Sequence, residues 1–161
     1  MSNNLLQFYT SFKGRVNRRD FILKFFLVSV LGSLIARGLD IFLKYNGLSL
    51  YGINIFSSIW TLIFIVPGFA VTCKRMHDFN YSGWWQMAPQ IFLIIMLIVL
   101  YIFPKIGIDM SLVMLICMIL GGIACIWVLS LMLMVFFRKG TNGSNQYGPD
   151  PLKMITIEKT I

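Results

Sequence analysis

The residues best suited to chemistry lie in one polar stretch between two long apolar runs, Cys73 to Trp85, CKRMHDFNYSGWW. This stretch holds the single histidine of the chain, His77, with Arg75 just before it and Asp78 directly after it. A guanidinium can clamp a phosphate group, and an imidazole or a carboxylate can act as a general base. The three side chains therefore define the candidate site, and a lipid headgroup is the substrate that this chemistry would suit.

Catalysis by this stretch is the less favoured interpretation. No serine or cysteine lies in a recognisable nucleophile elbow. A group of arginine, histidine and aspartate on one helical turn beside a membrane is usually solvated or paired internally. We therefore expect no enzyme, no catalytic residue and no cofactor. A lipid-modifying membrane enzyme that uses His77 and Asp78 stays open as an alternative.

Metal binding by the same stretch also lacks ligands. Cys73, His77 and Asp78 offer a sulfur, a nitrogen and an oxygen within six residues. Cys73 and His77 are four residues apart, so they share a face if the helix continues that far. Zinc sites take three or four protein ligands, and the chain has no second histidine. The sequence thus predicts no metal site.

The composition is that of a membrane protein. Of the 161 residues, 58% are hydrophobic and only 12% are charged, whereas about a quarter of the residues in soluble domains are charged. The formal net charge is +8, but the basic residues lie at the ends of the apolar runs. That position serves membrane topology and anionic lipid rather than nucleic acid, so no nucleic-acid partner is expected.

Four apolar runs predict an all-α integral membrane protein, because about 20 apolar residues cross a bilayer. The predicted helices cover about residues 20–40, 53–73, 84–103 and 110–137, in a single four-helix domain of residues 1–161. Residues 1–19 are predicted to form an amphipathic N-terminal segment, with a disordered basic tail as the alternative, and residues 138–161 to form a turn-rich C-terminal tail. Asn17 and Asp20 have the spacing of a capping box that begins the first helix.

Two helices carry rows of small residues at helical spacing, which allow a neighbouring helix to approach closely. The row on the fourth helix consists of Cys117, Gly121 and Cys125, and the row on the first helix consists of Ser29, Gly32, Ser33 and Ala36.

The distribution of lysine and arginine predicts the orientation. Ten of these 14 residues lie in residues 1–19, 74–83 and 138–161, and three lie in the opposite loops, Arg37, Lys44 and Lys105. Cytoplasmic loops carry the excess of positive charge in multi-pass proteins. We therefore expect both termini and the central polar stretch to be cytoplasmic.

Three polar motifs carry a resemblance to a known family. They are FKGRVNRRDF (Phe12 to Phe21), KRMHDFNYSGWW (Lys74 to Trp85) and GTNGSNQYGPDP (Gly140 to Pro151), in this order at the junctions of the predicted helices. Together they resemble the domain-of-unknown-function family 805, DUF805, the YhaH-like small bacterial inner-membrane proteins. In that family a leucine usually stands at the position of Met76, and often an arginine at that of Lys74.

The resemblance implies a multi-pass protein of the bacterial inner (plasma) membrane, with four helices and no assigned biochemical activity. It carries over no established catalytic or binding residue. The positions that match the family are Gly14, Arg15, Arg75, His77, Asp78, Gly83, Trp84, Asn145, Tyr147, Gly148 and Pro149.

Because all three motifs fall on the cytoplasmic side of the predicted topology, we expect them to converge in one polar cap. The predicted function is a membrane-embedded binding or scaffold module. Its partner would be an anionic lipid headgroup, another membrane protein or a second copy of the chain. An oligomeric channel or transporter component is the alternative, which only the proline-kinked helices favour. The predicted binding residues are Arg15, Arg75, His77, Asp78, Trp84, Asn145 and Tyr147.

Overall fold

A computed structural model of the protein describes residues 5–48 and 53–152. Residues 1–4 of the predicted N-terminal segment, residues 49–52 of a predicted outer loop and residues 153–161 of the predicted tail lie outside this described part. The described residues form five α-helices: α1 (Leu5–Thr10), α2 (Arg18–Tyr45), α3 (Ile55–Asp78), α4 (Ala88–Ile102) and α5 (Met110–Phe137). Short 3₁₀ turns, Gly83–Met87 and Phe103–Ile106, flank α4.

Four segments are long and apolar enough to cross a membrane, and the described residues form no β-strand. These segments are Arg18–Tyr45, Ile55–Asp78, Gly83–Ile106 and Met110–Phe137. The predicted all-α membrane fold is therefore confirmed. The described chain divides into two compact units, one formed by residues 1–81 with 139–161 and the other by residues 82–138. Each unit is described separately below.

In the first unit, α2 begins at the predicted capping box. The Asn17 side-chain oxygen accepts from the backbone N–H of Asp20 at 2.7 Å, and its amide donates to the Asp20 carboxylate at 3.1 Å. This cap satisfies one of the backbone donors that a helix start leaves without a partner. The next residues, Phe21–Phe26, form a π-helical segment of α2. π-helical turns are rare and occur often at functional sites.

Close contact between α2 and α3 confirms the predicted small-residue face of the first helix. A Cβ atom added to Gly32 would lie 1.9 Å from the Trp60 ring, so only glycine leaves room for the indole. The Trp60 N–H donates to the Ser29 carbonyl at 3.3 Å, and its ring stacks on Phe64 with centroids 4.3 Å apart. Trp60 thus fills the space that a side chain at position 32 would occupy.

A buried carboxylate fixes the other end of this helical hairpin. The Asp40 side chain, on α2, accepts from the backbone N–H groups of Phe56 and Ser57 at 2.9 Å each. These two groups belong to the first turn of α3, where backbone donors have no partner within the helix. Negative charge is also favourable at a helix N-terminus. Asp40 therefore caps a helix other than its own.

In the second unit, Ser82 caps the turn that leads into α4 by accepting from the Trp84 N–H. The Trp127 indole donates to the Trp85 carbonyl at 3.2 Å, and the two rings stack with centroids 5.3 Å apart. A Cβ atom added to Gly121 meets no atom within 4 Å. Within this unit the small-residue row of α5 therefore has open space at its centre.

Candidate functional site

The central polar motif is the last part of a helix. The sequence predicts that this helix ends near Cys73, but α3 continues to Asp78. Two residues later, Asn80 adopts a positive φ of 64°. The extension places Arg75, His77 and Asp78 on one ordered helical turn. It persists because two distant segments satisfy the polar groups of this turn. We call the polar cap the assembly of residues 11–17, 73–80 and 139–150.

A buried carboxylate between two arginines lies at the centre of the polar cap. One Asp78 oxygen accepts from Arg15 at 3.0 and 3.2 Å, and the other accepts from Arg75 at 2.6 Å. The side chains of Arg15, Arg75 and Asp78 are 1%, 0% and 4% exposed. Hydrogen bonds between ionised groups are roughly twice as strong as neutral ones. This triad of Arg15, Asp78 and Arg75 therefore holds the segment before α2 against the end of α3.

The C-terminal tail completes the partners of Arg15. Its guanidinium donates to the carbonyls of Gly143 at 2.6 Å and Thr141 at 2.7 Å, with the Gly148 carbonyl at 3.4 Å. Thr141 also donates to the Asp78 carbonyl, from its N–H at 2.8 Å and from its hydroxyl at 3.0 Å. Arg15 consequently joins three segments that are far apart in the sequence.

His77 is held as a neutral ring with both nitrogens engaged. Its Nδ1 lies 3.2 Å from the Gly14 carbonyl, which can only accept, so this nitrogen carries the proton. The other nitrogen, Nε2, then accepts from the Cys73 thiol at 3.4 Å. The ring lies flat on Tyr147, with centroids 3.8 Å apart and planes 3° apart. Both nitrogens of His77 therefore have partners within the protein.

Asn145 closes the C-terminus of α3. Its amide donates to the His77 carbonyl at 2.8 Å and to the Thr141 hydroxyl at 3.0 Å, while its oxygen accepts from the Tyr147 N–H at 2.9 Å. The last carbonyls of a helix have no partner within the helix. Asn145 and Thr141 supply partners for two of them, so the tail acts as an external cap of α3.

Lys74 fixes α1 in the same region. This buried lysine donates to the carbonyl of Gln7 at 3.3 Å and to that of Phe8, and its ammonium lies 5.0 Å from the centroid of the Phe8 ring. The Lys74 carbonyl in turn accepts from the Val16 N–H at 3.2 Å. Sequence reasoning missed Lys74 and Thr141, because a lysine in a basic loop and a threonine in a turn give no signal of partners more than 60 residues away.

Six of the seven predicted binding residues belong to the polar cap: Arg15, Arg75, His77, Asp78, Asn145 and Tyr147. The seventh, Trp84, belongs to the second unit, where it is 80% exposed. These contacts give the arrangement of the residues, and their binding role stays a prediction.

The polar cap is a closed network of hydrogen bonds. In the part of the chain that the structure describes, every buried side-chain nitrogen and oxygen has a hydrogen-bond partner. The same residues contain no group of three His, Cys, Asp or Glu side chains that could hold a metal ion. The Cys73 thiol is buried and donates to His77, so it is not presented to a substrate. What this geometry provides is rigid positioning of three chain segments.

Gly140 tests whether the tail must lie this close to the triad. A Cβ atom at this position would lie 2.2 Å from the Asp78 oxygen that accepts from Arg75, and Arg15 holds the other oxygen of the same carboxylate. Gly140→Ala should therefore weaken tail docking by about 1–2 kcal/mol, as overpacking does elsewhere. Hydrogen exchange of residues 139–150 should quicken in the variant and not in Asn142→Ala, which changes an exposed tail residue. Unchanged exchange in Gly140→Ala would contradict the contact.

The chain has relatives over nearly its whole length. The family described as "Protein of unknown function (DUF805)" matches residues 9–149, a range that includes the polar cap except for residue 150. The inner membrane protein YhaH of Escherichia coli (strain K12) is 27% identical over 148 residues, which are 91% of this chain and 92% of YhaH. The inner membrane protein YhaI of the same strain is 27% identical over 149 residues, 92% of each chain.

No solved structure matches the chain. The family match covers most of the sequence and confirms the resemblance carried by the three polar motifs. This chain belongs to the DUF805 family of proteins of unknown function.

Proposed function

We propose that the protein is a membrane-embedded scaffold of the bacterial inner membrane, whose polar cap faces the cytoplasm. Its exposed basic rim, which includes Lys13 and Arg19, binds anionic lipid headgroups. The observation that carries this proposal is the division of positive charge within the first unit. The buried cations of the polar cap are used on internal partners, while other cations beside them stay exposed. The inner-membrane location of YhaH and YhaI supports the membrane assignment.

The geometry favours a positioning role for the buried residues. The Arg15 and Arg75 side chains are directed to Asp78, and Arg15 also donates to the tail. Headgroup contact then falls to exposed neighbours such as Lys13 and Arg19, which flank the segment that Arg15 anchors. Each lysine or arginine near an anionic membrane surface contributes about 1 kcal/mol.

The contacts within the first unit also support the proposed topology. The segment before α2, the end of α3 and the tail touch one another, so these three segments lie on one side of the bilayer. Ten of the 14 lysines and arginines occur in the corresponding stretches of the sequence. The positive-inside rule then favours the cytoplasm for this side and for both termini.

The proposal predicts a preference for anionic lipid that depends on the rim. In nanodiscs or by native mass spectrometry after gentle extraction, the wild type should retain phosphatidylglycerol over phosphatidylcholine. Lys13→Gln with Arg19→Gln should weaken that binding by about 2 kcal/mol, roughly thirtyfold in Kd.

The matched control is Arg37→Gln with Lys44→Gln, which removes one arginine and one lysine that are exposed at the opposite end of α2. This pair should leave the lipid preference unchanged. A wild type that binds both lipids equally, or equal losses in the two double variants, would contradict the proposal.

No contact among the described residues favours the two alternative functions. A lipid-modifying enzyme would need His77 or Asp78 free to move a proton, and both are engaged internally. An oligomeric channel would need polar groups along a path, and the buried charges of the first unit are paired or capping. A membrane protein or a second copy that docks on the same rim is compatible with the proposed scaffold.

A further inference from the structure

The N-terminal helix α1 exposes apolar side chains although it is held firmly in place. Leu5 and Leu6 are 68% and 69% exposed, and Phe12, in the turn that follows α1, is 47% exposed. Leu5 and Leu6 are neighbours in the sequence, and large apolar side chains exposed together usually mark an interaction surface. Two backbone carbonyls of α1 and the Tyr9 hydroxyl make the contacts that fix the helix.

Two membrane-spanning helices fix α1. Lys74 of α3 donates to the carbonyls of Gln7 and Phe8 in α1. The Tyr9 hydroxyl donates to the carbonyl of Lys24, in the π-helical segment of α2. These contacts hold α1 against the start of α2 and the end of α3.

The same contacts define the depth of α1. Lys24 lies six residues after the start of the Arg18–Tyr45 span, and Lys74 lies four residues before the end of the Ile55–Asp78 span. Both helix ends therefore mark the same membrane boundary, and α1 lies at that boundary. A helix at this boundary has water on one side. On its other side lie lipid headgroups and the first carbons of their acyl chains.

The charges beside the apolar side chains select the kind of lipid. Lys13 follows Phe12 and is exposed, and Arg19 is exposed at the start of α2. Lys24 is 51% exposed, although its ammonium also pairs with Asp20 at 3.1 Å. Apolar side chains flanked by lysine and arginine are the pattern of helices that lie in the interface of anionic membranes. An acidic protein surface would match the charges but would leave the leucines at membrane depth without an apolar partner.

We infer that α1 and the turn after it form an interfacial anchor that inserts Leu5, Leu6 and Phe12 among the acyl chains of an anionic leaflet, with Lys74 and Tyr9 as its latches. The inference rests on the proposed function for the leaflet and for the charge of its lipids. It adds a defined segment, a defined depth and two residues that hold the segment there.

Fluorescence quenching of a label at residue 6 tests the anchor. Leu6→Cys is introduced into the full chain with Cys117→Ala and Cys125→Ala, leaving the buried Cys73, and is labelled with an environment-sensitive fluorophore. In vesicles containing phosphatidylglycerol, lipids with a doxyl group near the headgroup should quench the label, and aqueous iodide should not. A label at Asn142→Cys, exposed in the tail, should show the opposite pattern.

Iodide quenching at residue 6 as strong as at residue 142 would overturn the anchor. If the phosphatidylglycerol preference persisted in that case, the proposed function would stand without it. Loss of the lipid preference with a buried label would contradict the proposed function and leave insertion intact. Equal burial of the label in vesicles of phosphatidylcholine alone would overturn the requirement for an anionic leaflet.

The roles of Tyr9 and Lys74 in holding α1 are tested in the same assay. Tyr9→Phe removes only the hydroxyl that reaches α2, and Lys74→Met keeps the length of the side chain while removing its donor. Each variant should increase iodide quenching at residue 6, with a larger increase when the two are combined. A label that stays protected in the combined variant, in protein that keeps its helical content, would overturn the role of these two residues.

Discussion

Replacing Asp78 by asparagine should lower the free energy of unfolding by about 3–5 kcal/mol, the usual effect of removing one partner from a buried ion pair. The substitution keeps the shape of the side chain but removes the carboxylate that pairs with both Arg15 and Arg75. Both guanidiniums are almost fully buried, so water cannot replace the lost charge. The tail carbonyls remain as partners of Arg15, but they carry no net charge.

The effect can be followed by thermal or SDS-induced unfolding of the detergent-solubilised protein. Asp109→Asn is the matched control, because it makes the same change at an exposed carboxylate before α5, and it should alter stability far less. A cycle with Arg15→Met should give a combined loss smaller than the sum of the single losses, by about 0.5–3 kcal/mol. Additive losses, or equal losses in Asp78→Asn and Asp109→Asn, would show that the triad does not stabilise the fold.

Gly32→Ala should cost about 3 kcal/mol, the upper part of the range for overpacking. The added methyl group would lie between 1.9 and 2.5 Å from three atoms of the Trp60 indole. An indole is rigid, and this one is held by its hydrogen bond to Ser29 and by its stacking on Phe64. The ring cannot move away without losing both, so α2 and α3 must separate.

Gly38→Ala is the control for this substitution, because it lies in the same helix and a Cβ there meets no atom within 4 Å. Alanine favours a helix over glycine, so Gly38→Ala should be neutral or slightly stabilising. Unfolding of the two variants in the same detergent compares them directly. The close approach at Gly32 would be contradicted if both variants unfolded at the wild-type midpoint.

The local features of this fold could be predicted from the sequence. Runs of apolar residues predict the four membrane helices, and Asn17 with Asp20 predicts the start of α2. Each of these signals depends only on residues that are close together in the sequence. The small-residue face around Gly32 was also predictable, since the spacing alone places these residues on one face. The identity of its partner, Trp60, was not, because many side chains could have filled the space.

The internal contacts of the polar cap could be predicted only in outline. The sequence predicts that three polar motifs meet, but it places Arg75, His77 and Asp78 in a loop after Cys73. The end of the apolar run predicts the end of the helix, whereas α3 continues for another turn beyond it. What extends the helix is a set of caps from Thr141 and Asn145, which lie more than 60 residues away. Local patterns carry no information about partners at that distance.

The span of 126 residues between Arg15 and its acceptor Thr141 has a consequence for biosynthesis. At about 5–20 residues per second, the ribosome adds Thr141 some 6–25 s after Arg15. During that interval the early arginine has to stay solvated by water or phosphate, and the network can close only after the tail has been synthesised. A nascent chain that stops before the tail would leave the last carbonyls of α3 without the partners that Thr141 and Asn145 supply.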